Sequence, residues 1–404
     1  MLSPFSLVRI LRGGPRAALV LIVFIDLLGF GMVIPVMALY AERLGAPTSQ
    51  TGWLMASYSI MQFAFAPIWG RLSDRYGRRP LLLLSIAMTS LAFLAYALAP
   101  TFAWLVASRF FAGAATANIG LAQAYMADVT KPEERARGMG LIGAAFGMGF
   151  VLGPAFGGLL SSVSLATPGF VAAALAAANG VAAWFVLAEP ENRVVAERKR
   201  RLGVLVDELS KPGIRRLIVI YLLVVFAFSG MESTFALLSE HRYGLNARTV
   251  GGIFAFIGVI IAVVQGLLIG PLNRRFGERA LLVSGLVLQA VGLVALPFAP
   301  GLPGLFLACV PLAAGSGLST PALSSLLSRS ARADSQGGTL GVGQSASALG
   351  RVAGPPTATF VFGEIWIAGP YLGGAVVMLA MAALAATLRS PSPVPRQPAG
   401  AGIR

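Results

Sequence analysis

The sequence predicts an all-α integral membrane protein, with twelve transmembrane helices in two pseudo-symmetric six-helix halves, on three observations. The first is composition: 56% of the 404 residues are hydrophobic, 12% are charged, and the mean hydropathy is +0.79, a balance that soluble domains do not carry. The second is that apolar runs of about 20 residues, enough to cross hydrocarbon, recur along the whole chain between short polar breaks. That is not the alternating pattern of a membrane barrel. The third is a repeat. Gly70-Arg-Leu-Ser-Asp-Arg-Tyr-Gly-Arg-Arg-Pro80 returns, weakened, as Gly270-Pro-Leu-Asn-Arg-Arg-Phe-Gly-Glu-Arg279, an offset of 200 residues, so the chain reads as a doubled unit.

In chain order, residues 1–16 read as a cytoplasmic tail: Arg9, Arg12 and Arg16 precede the first apolar run, and no small-residue cleavage site follows it. The first half, 17–187, is expected to hold helices at 17–40, 51–69, 81–99, 102–127, 139–161 and 168–187. The stretch between helices two and three packs four arginines and an aspartate into eleven residues, which cannot enter hydrocarbon, so the chain must turn there. Gly70 and Gly77 are expected to supply the tight turn. Residues 188–216 form a charged cytoplasmic linker with room for an amphipathic surface helix. The second half, 217–388, is expected to hold helices at 217–239, 249–268, 280–298, 303–328, 339–361 and 365–388. The proline-rich tail 389–404 should be disordered.

A formal charge of +15 raises the question of nucleic acid, but position decides against it. Of 31 Lys and Arg, 26 fall in the termini and even-numbered connections, three (Arg43, Arg242, Arg248) in odd-numbered ones, and two (Arg109, Arg351) inside helices. The basic excess is a topology signal that puts both termini in the cytoplasm. Cys309 is alone in an apolar run and reads as packing. His241 is alone beside Arg242 in an expected outer loop, so no metal site is expected.

The repeat continues in helix five, where Gly149-Phe-Val-Leu-Gly-Pro-Ala-Phe-Gly-Gly158 is answered in helix eleven by Gly350-Arg-Val-Ala-Gly-Pro-Pro356. With the loop Gly70 to Arg79, with Arg109-Phe-Phe-Ala-Gly113, with Asp26-Leu-Leu-Gly-Phe-Gly-Met-Val-Ile-Pro35 and with Ala127-Asp-Val-Thr-Lys-Pro-Glu-Glu-Arg135, the chain resembles the major facilitator superfamily. Within it, the chain is most similar to the drug/proton antiporters nearest the tetracycline efflux pumps. The resemblance implies a multi-pass protein of the bacterial inner membrane, monomeric, without a cofactor, acting on a small-molecule substrate and protons. It also has gaps. Those pumps carry further acids near Ala92 and Gln289 and a histidine near Ile261, serving a cationic metal–drug chelate, and this sequence has none of the three.

An unpaired carboxylate at Asp26, nine residues into an apolar helix, is costly to ionise, which makes it the first candidate for the proton carrier; the structural alternative is an acid that pins helix one to a neighbour. Glu232 holds the comparable place in the second half. Arg109 and Arg351 cannot shed their charge, so each needs an acid or carbonyls, and the pairs Arg109–Asp26 and Arg351–Glu232 are natural schemes. Gln62, Asn118, Gln123, Gln265, Gln289 and Gln344, with Arg351, are candidates to line a central cavity. Gly70, Asp74, Arg75, Gly77, Arg78, Arg79 and Asp128 are read as a cytoplasmic gate, with Asp74 facing the N-terminus of helix eleven near Thr339 when the inner side is shut. Gly149, Gly153, Gly157 and Gly158 clear one helix face for close packing, and Pro154 bends the helix.

Two repeated six-helix halves suit alternating access at a site between them. The function expected is proton-coupled export of small apolar or amphipathic compounds. A symporter or facilitator for a metabolite is the alternative within transport, and a membrane enzyme or sensor the remote one. For that last class the sequence offers no metal cluster, no nucleophile with a histidine partner and no nucleotide-binding loop.

Overall fold

A computed structural model describes residues 14–130, 134–190, 210–330 and 336–388. Residues 14–16, expected in the N-terminal tail, begin the first helix, whereas residues 1–13 of that tail, the expected C-terminal tail and the core of the expected surface linker, 191–209, lie outside the described residues. Those residues form thirteen α-helices and no strand: α1 (Gly14–Arg43), α2 (Trp53–Tyr76), α3 (Arg78–Ala97), α4 (Phe102–Ala115), α5 (Asn118–Val129), α6 (Arg135–Leu160), α7 (Thr167–Val186), α8 (Pro212–Tyr243), α9 (Ala247–Val263), α10 (Ile269–Ala295), α11 (Gly301–Ser330), α12 (Gln336–Phe360) and α13 (Gly369–Ala386). Among the described residues nine segments are long and apolar enough to cross a membrane. Neither α2 nor α12 is among them, because both spend interior positions on polar groups such as Gln62 and Ser73 or Gln344 and Arg351.

Local chemistry sets the ends. The Thr101 hydroxyl accepts from Trp104 N–H at the start of α4, Asn246 Oδ1 accepts from Thr249 N–H at 3.0 Å at the start of α9, and Gly244, at φ 64°, closes α8. Two expectations need correcting here. Gly70 lies within α2 and makes no turn; the reversal is at Gly77 alone, at φ 111° and ψ 156°. Its counterpart Gly277, at φ 79° and ψ 162°, is the one non-helical residue in α10, so the second loop shrinks to a kink. The φ of both is one that side-chain-bearing residues avoid.

Contacts recur at offsets close to 200. Ser85 Oγ donates to the Ala115 carbonyl at 2.7 Å, and Gly285 packs backbone to backbone on Gly315. Arg79 reaches the Trp184 carbonyl at 2.7 Å, and Arg279 that of Ala386. Tyr40 ties the end of α1 to Ala99 at 3.2 Å, as Tyr243 ties the end of α8 to Leu296 at 2.7 Å. The apolar core divides with the chain: α1–α7 enclose two clusters, and α8–α13 enclose one whose buried members from the first group are Val36, Ala38 and Leu39.

The two groups meet along two seams, α6 on α9 and α2 on α12. At the end away from the arginine-rich turns both seams are closed. Gly158 stands against Gly251, with Gly258 packed on Val151, and Thr359 Oγ1 accepts from Gly52 N–H at 3.2 Å while donating to the Ser49 carbonyl. Toward the arginine-rich end contact falls away among the described residues: Gly147 on α6, Gly70 on α2 and Gly341 on α12 have no atom of them within 4 Å of where a Cβ would stand. The described residues form a wedge, shut at one end and parted at the other.

Candidate functional site

Residues 102–127, expected as one helix, break at Thr116–Ala117, where Thr116 turns extended at ψ 101°. The freed backbone groups are answered by side chains: Trp69 Nε1 donates to the Ala114 carbonyl at 2.7 Å, and Ser85 Oγ, donating to Ala115, accepts from Ala117 N–H at 3.0 Å. Restarting at Asn118 aims that side chain at α1. Its Nδ2 donates to Asp26 Oδ1 at 2.7 Å and approaches Thr89 Oγ1 at 3.4 Å. Asp26 and Asn118 are both buried, and Asn118 Oδ1 has no hydrogen-bond partner among the described residues.

Arg109 does not pair with Asp26. It lies on α4 beyond the break, 1% exposed, boxed by aromatic rings whose centroids stand 5.3 Å (Tyr96), 5.9 Å (Tyr58) and 5.9 Å (Phe93) from its guanidinium carbon. Ring faces carry negative charge, which is how this cation is held without a carboxylate. Its Nε and Nη1 have no hydrogen-bond partner among the described residues. Tyr58, which sequence reasoning missed, links the parts: it accepts from Gln62 Nε2 at 3.3 Å, stacks on Phe30 at 5.2 Å, and lies within electrostatic range of Asp26, Arg109 and Arg351 of the other group. No spacing in the sequence marks it, because the contacts come from four helices.

Glu232 and Arg351 act on each other through space without forming an ion pair among the described residues; Arg351 Nη1 instead donates to Ser347 Oγ at 2.9 Å. Glu232 borders a void of about 10 Å³ under the closed end, together with Met37, Thr51 and Met55 of the first group. The polar candidates separate. Gln123, Gln265 and Gln344 are exposed and Gln62 half-buried, whereas Gln289 is 1% exposed and donates to Ser319 Oγ at 2.8 Å, joining α10 to α11 instead of lining a cavity.

The signature turn is tied within its own group. Arg78 is buried and bridges Asp74 at 2.7 Å, Asp128 at 3.0 Å and Ser73 Oγ at 2.6 Å, joining α2, α3 and α5. Glu189 accepts from Arg78 N–H at 2.8 Å and Arg79 N–H at 2.9 Å, an anion on the N-terminus of α3. A Cβ at Gly77 would meet that carboxylate at 2.7 Å. Asp74, 49% exposed, and Arg75, also exposed, face the parted end. Removing Arg78 takes an ion-pair partner from Asp128, whose side chain is 2% exposed. Arg78→Ala is therefore expected to cost about 3 kcal/mol, read as a clear drop in melting temperature in detergent.

In α6, Gly149, Gly153 and Gly157 all face α1, against Leu27, Gly31 and Met32, while Gly158 alone turns to α9. The helix runs unbroken through Pro154, which packs on Gly31.

Comparison with known proteins agrees with this architecture. The family described as the Major Facilitator Superfamily matches residues 19–269 and 263–403. The tetracycline resistance protein of class C from Escherichia coli is 33% identical over 368 residues, covering 87% of this chain and 92% of its own. Multidrug resistance protein 2 of Bacillus subtilis is 30% identical over 368 residues, covering 88% and 90%. The crystal structure of the human organic anion transporter MFSD10 superposes with a TM-score of 0.67 at 27% identity, over 92% of this chain and 99% of that one.

Proposed function

We propose that this chain, which belongs to the Major Facilitator Superfamily and so to a family of transporters and not enzymes, is a proton-coupled antiporter. It exports small apolar or amphipathic compounds by alternating access from the cytoplasm of a bacterial cell. The observation that carries the reading is Asp26: a buried carboxylate at a helix break, held by one amide whose oxygen is unanswered, in a wedge parted at one end. The neutral acid can accept from Asn118 Nδ2 and also donate to Asn118 Oδ1, whereas the carboxylate can only accept. Arrival of a proton therefore changes how α1 is held to α5. Relatives named for tetracycline and multidrug resistance support export. Gln289, fixed to Ser319, and Ala92, buried, stand where the sequence comparison expects chelate-binding acids, which supports a substrate other than a metal–drug chelate.

Twelve spans in two halves, 17–187 and 217–388 around the linker 188–216, are the arrangement that the nine apolar segments support once α2 and α12 are added. The 52-residue segment Ala247–Phe298 divides at Gly277, being far longer than the roughly 20 residues one crossing needs. The shut end faces outward and the parted end the cytoplasm, on the positive-inside rule. The outward-open state would bring Asp74 to the N-terminus of α12 and close the inner gate. Arg109, in its aromatic box, and Glu232, at the meeting of the halves, are the second rank of the coupling machinery, with Gln62, Gln344 and Arg351 toward the cavity.

In proteoliposomes with an acid interior, a fluorescent amphipathic dye should accumulate and a protonophore should abolish the uptake; accumulation driven only by an alkaline interior would mean symport. Cysteines placed at the exposed positions Arg75 and Asn273 should react with impermeant reagents only from the cytoplasmic side. Labelling of either in intact cells would overturn the orientation.

A further inference from the structure

The lone histidine, expected in a loop, sits in the last turn of α8 and has company. His241 Nε2 stands 3.1 Å from Glu42 Oε2 at the end of α1, and Glu240 completes a set whose ligand atoms all lie within 4.8 Å of one another. Glu42 comes from one half and the other two residues from the second, at the shut end of the wedge. We propose that these three side chains form a site for a zinc-class divalent ion, which when bound latches the two halves together at the outer mouth. The inference rests on the alternating-access reading above for its consequence but not for the binding itself.

The donor set selects the ion. One imidazole nitrogen and two carboxylates suit zinc and its first-row neighbours, while magnesium and calcium seek oxygen alone and more of it. Tetrahedral bonds of about 2.1 Å hold ligand atoms about 3.4 Å apart, so the His241–Glu42 pair is near bonding geometry and Glu240 needs only a small shift. Supporting contacts orient the ligands, as is usual around metals. The Thr48 hydroxyl donates to Glu42 Oε1, leaving Oε2 toward His241, and the His241 ring packs on Phe362 with centroids 5.9 Å apart. Side-chain exposures of 35% at His241 and 19% at Glu42 leave an entry from bulk water and a place for a fourth, water ligand. Arg43 and Arg242 follow Glu42 and His241 in the chain, which lowers affinity for a cation and makes the site an exchangeable one.

Because the ligands are split between halves, the complete site exists only while the outer mouth is shut. An ion that binds one state and not the other shifts their ratio by about 100-fold at a hundred times its Kd. The test uses the full chain in nanodiscs. Zinc should bind with one-to-one stoichiometry in calorimetry, magnesium should not compete, and His241→Ala, Glu42→Gln and Glu240→Gln should each weaken zinc about tenfold or more. Spin labels at Pro100 and Pro300, exposed on the two sides of that mouth, should show the short-distance population enriched by zinc in the parent and not in His241→Ala. Equal zinc affinity in parent and variants would overturn the site, and bound zinc that leaves the label distances unchanged would overturn the latch. The dye-uptake experiment needs no zinc, so failure of proton antiport would be seen separately.

Discussion

Asp26→Asn is expected to bring gradient-driven dye uptake down to the level of empty liposomes while the protein still folds and still binds substrate. The asparagine keeps the two features that the neutral acid offers Asn118, an acceptor for Nδ2 and a donor for the unanswered Oδ1, so the α1–α5 contact is preserved and even completed. What it cannot do is lose a proton. The variant should be held in the packing of the protonated state, and substrate affinity should become independent of pH across about pH 5 to 8, where the parent varies. Melting temperature should be unchanged or slightly raised, since a buried acceptor gains a donor, worth about 1–3 kcal/mol at most. The rival, that Asp26 only pins two helices, predicts a variant that pumps at the parental rate with the parental pH profile. That result would pass the coupling role to Glu232.

The architecture was legible because its signals are local or periodic. Apolar runs mark spans, arginines mark turns, and the Gly77–Gly277 correspondence shows as the same left-handed backbone at the same offset. The site was legible only as an inventory. Asp26 and Asn118 were both named from the sequence, yet their union depends on a helix break that Thr116 and Ala117 do not announce, since the groups that stabilise it, Ser85 and Trp69, sit on other helices. Arg109 was expected to need an acid or carbonyls, with Asp26 as the natural partner, and found three rings instead. The glutamines show the same limit: Gln289 and Gln344 look alike in sequence, and only tertiary contact separates a buried tie to Ser319 from an exposed side chain.

The second large effect contrasts two adjacent glycines. A Cβ at Gly157 would run into the Met32 carbonyl of α1, within the same half, whereas a Cβ at Gly158 would stand 2.7 Å from Gly251 Cα on α9, across the seam. Both approaches are closer than real side chains allow, but the escape routes differ. Gly157→Ala can be relieved only by pushing α6 from α1, which are packed along three successive glycine contacts, so it should lower the melting temperature and the yield of folded protein, at a cost of about 1–3 kcal/mol for overpacking. Gly158→Ala can be relieved by parting the halves at the outer mouth, a movement that alternating access already provides. The same 1–3 kcal/mol is then set against one conformation and not against the fold, and it shifts the two-state ratio by roughly 5- to 150-fold toward outward-open. Labels at Pro100 and Pro300 should move apart in Gly158→Ala and not in Gly157→Ala. Transport by Gly158→Ala should fall with little loss of melting temperature. Equal destabilisation by the two substitutions, with the mouth still shut in both, would show that the seam is part of a rigid core and that the halves do not rock about it.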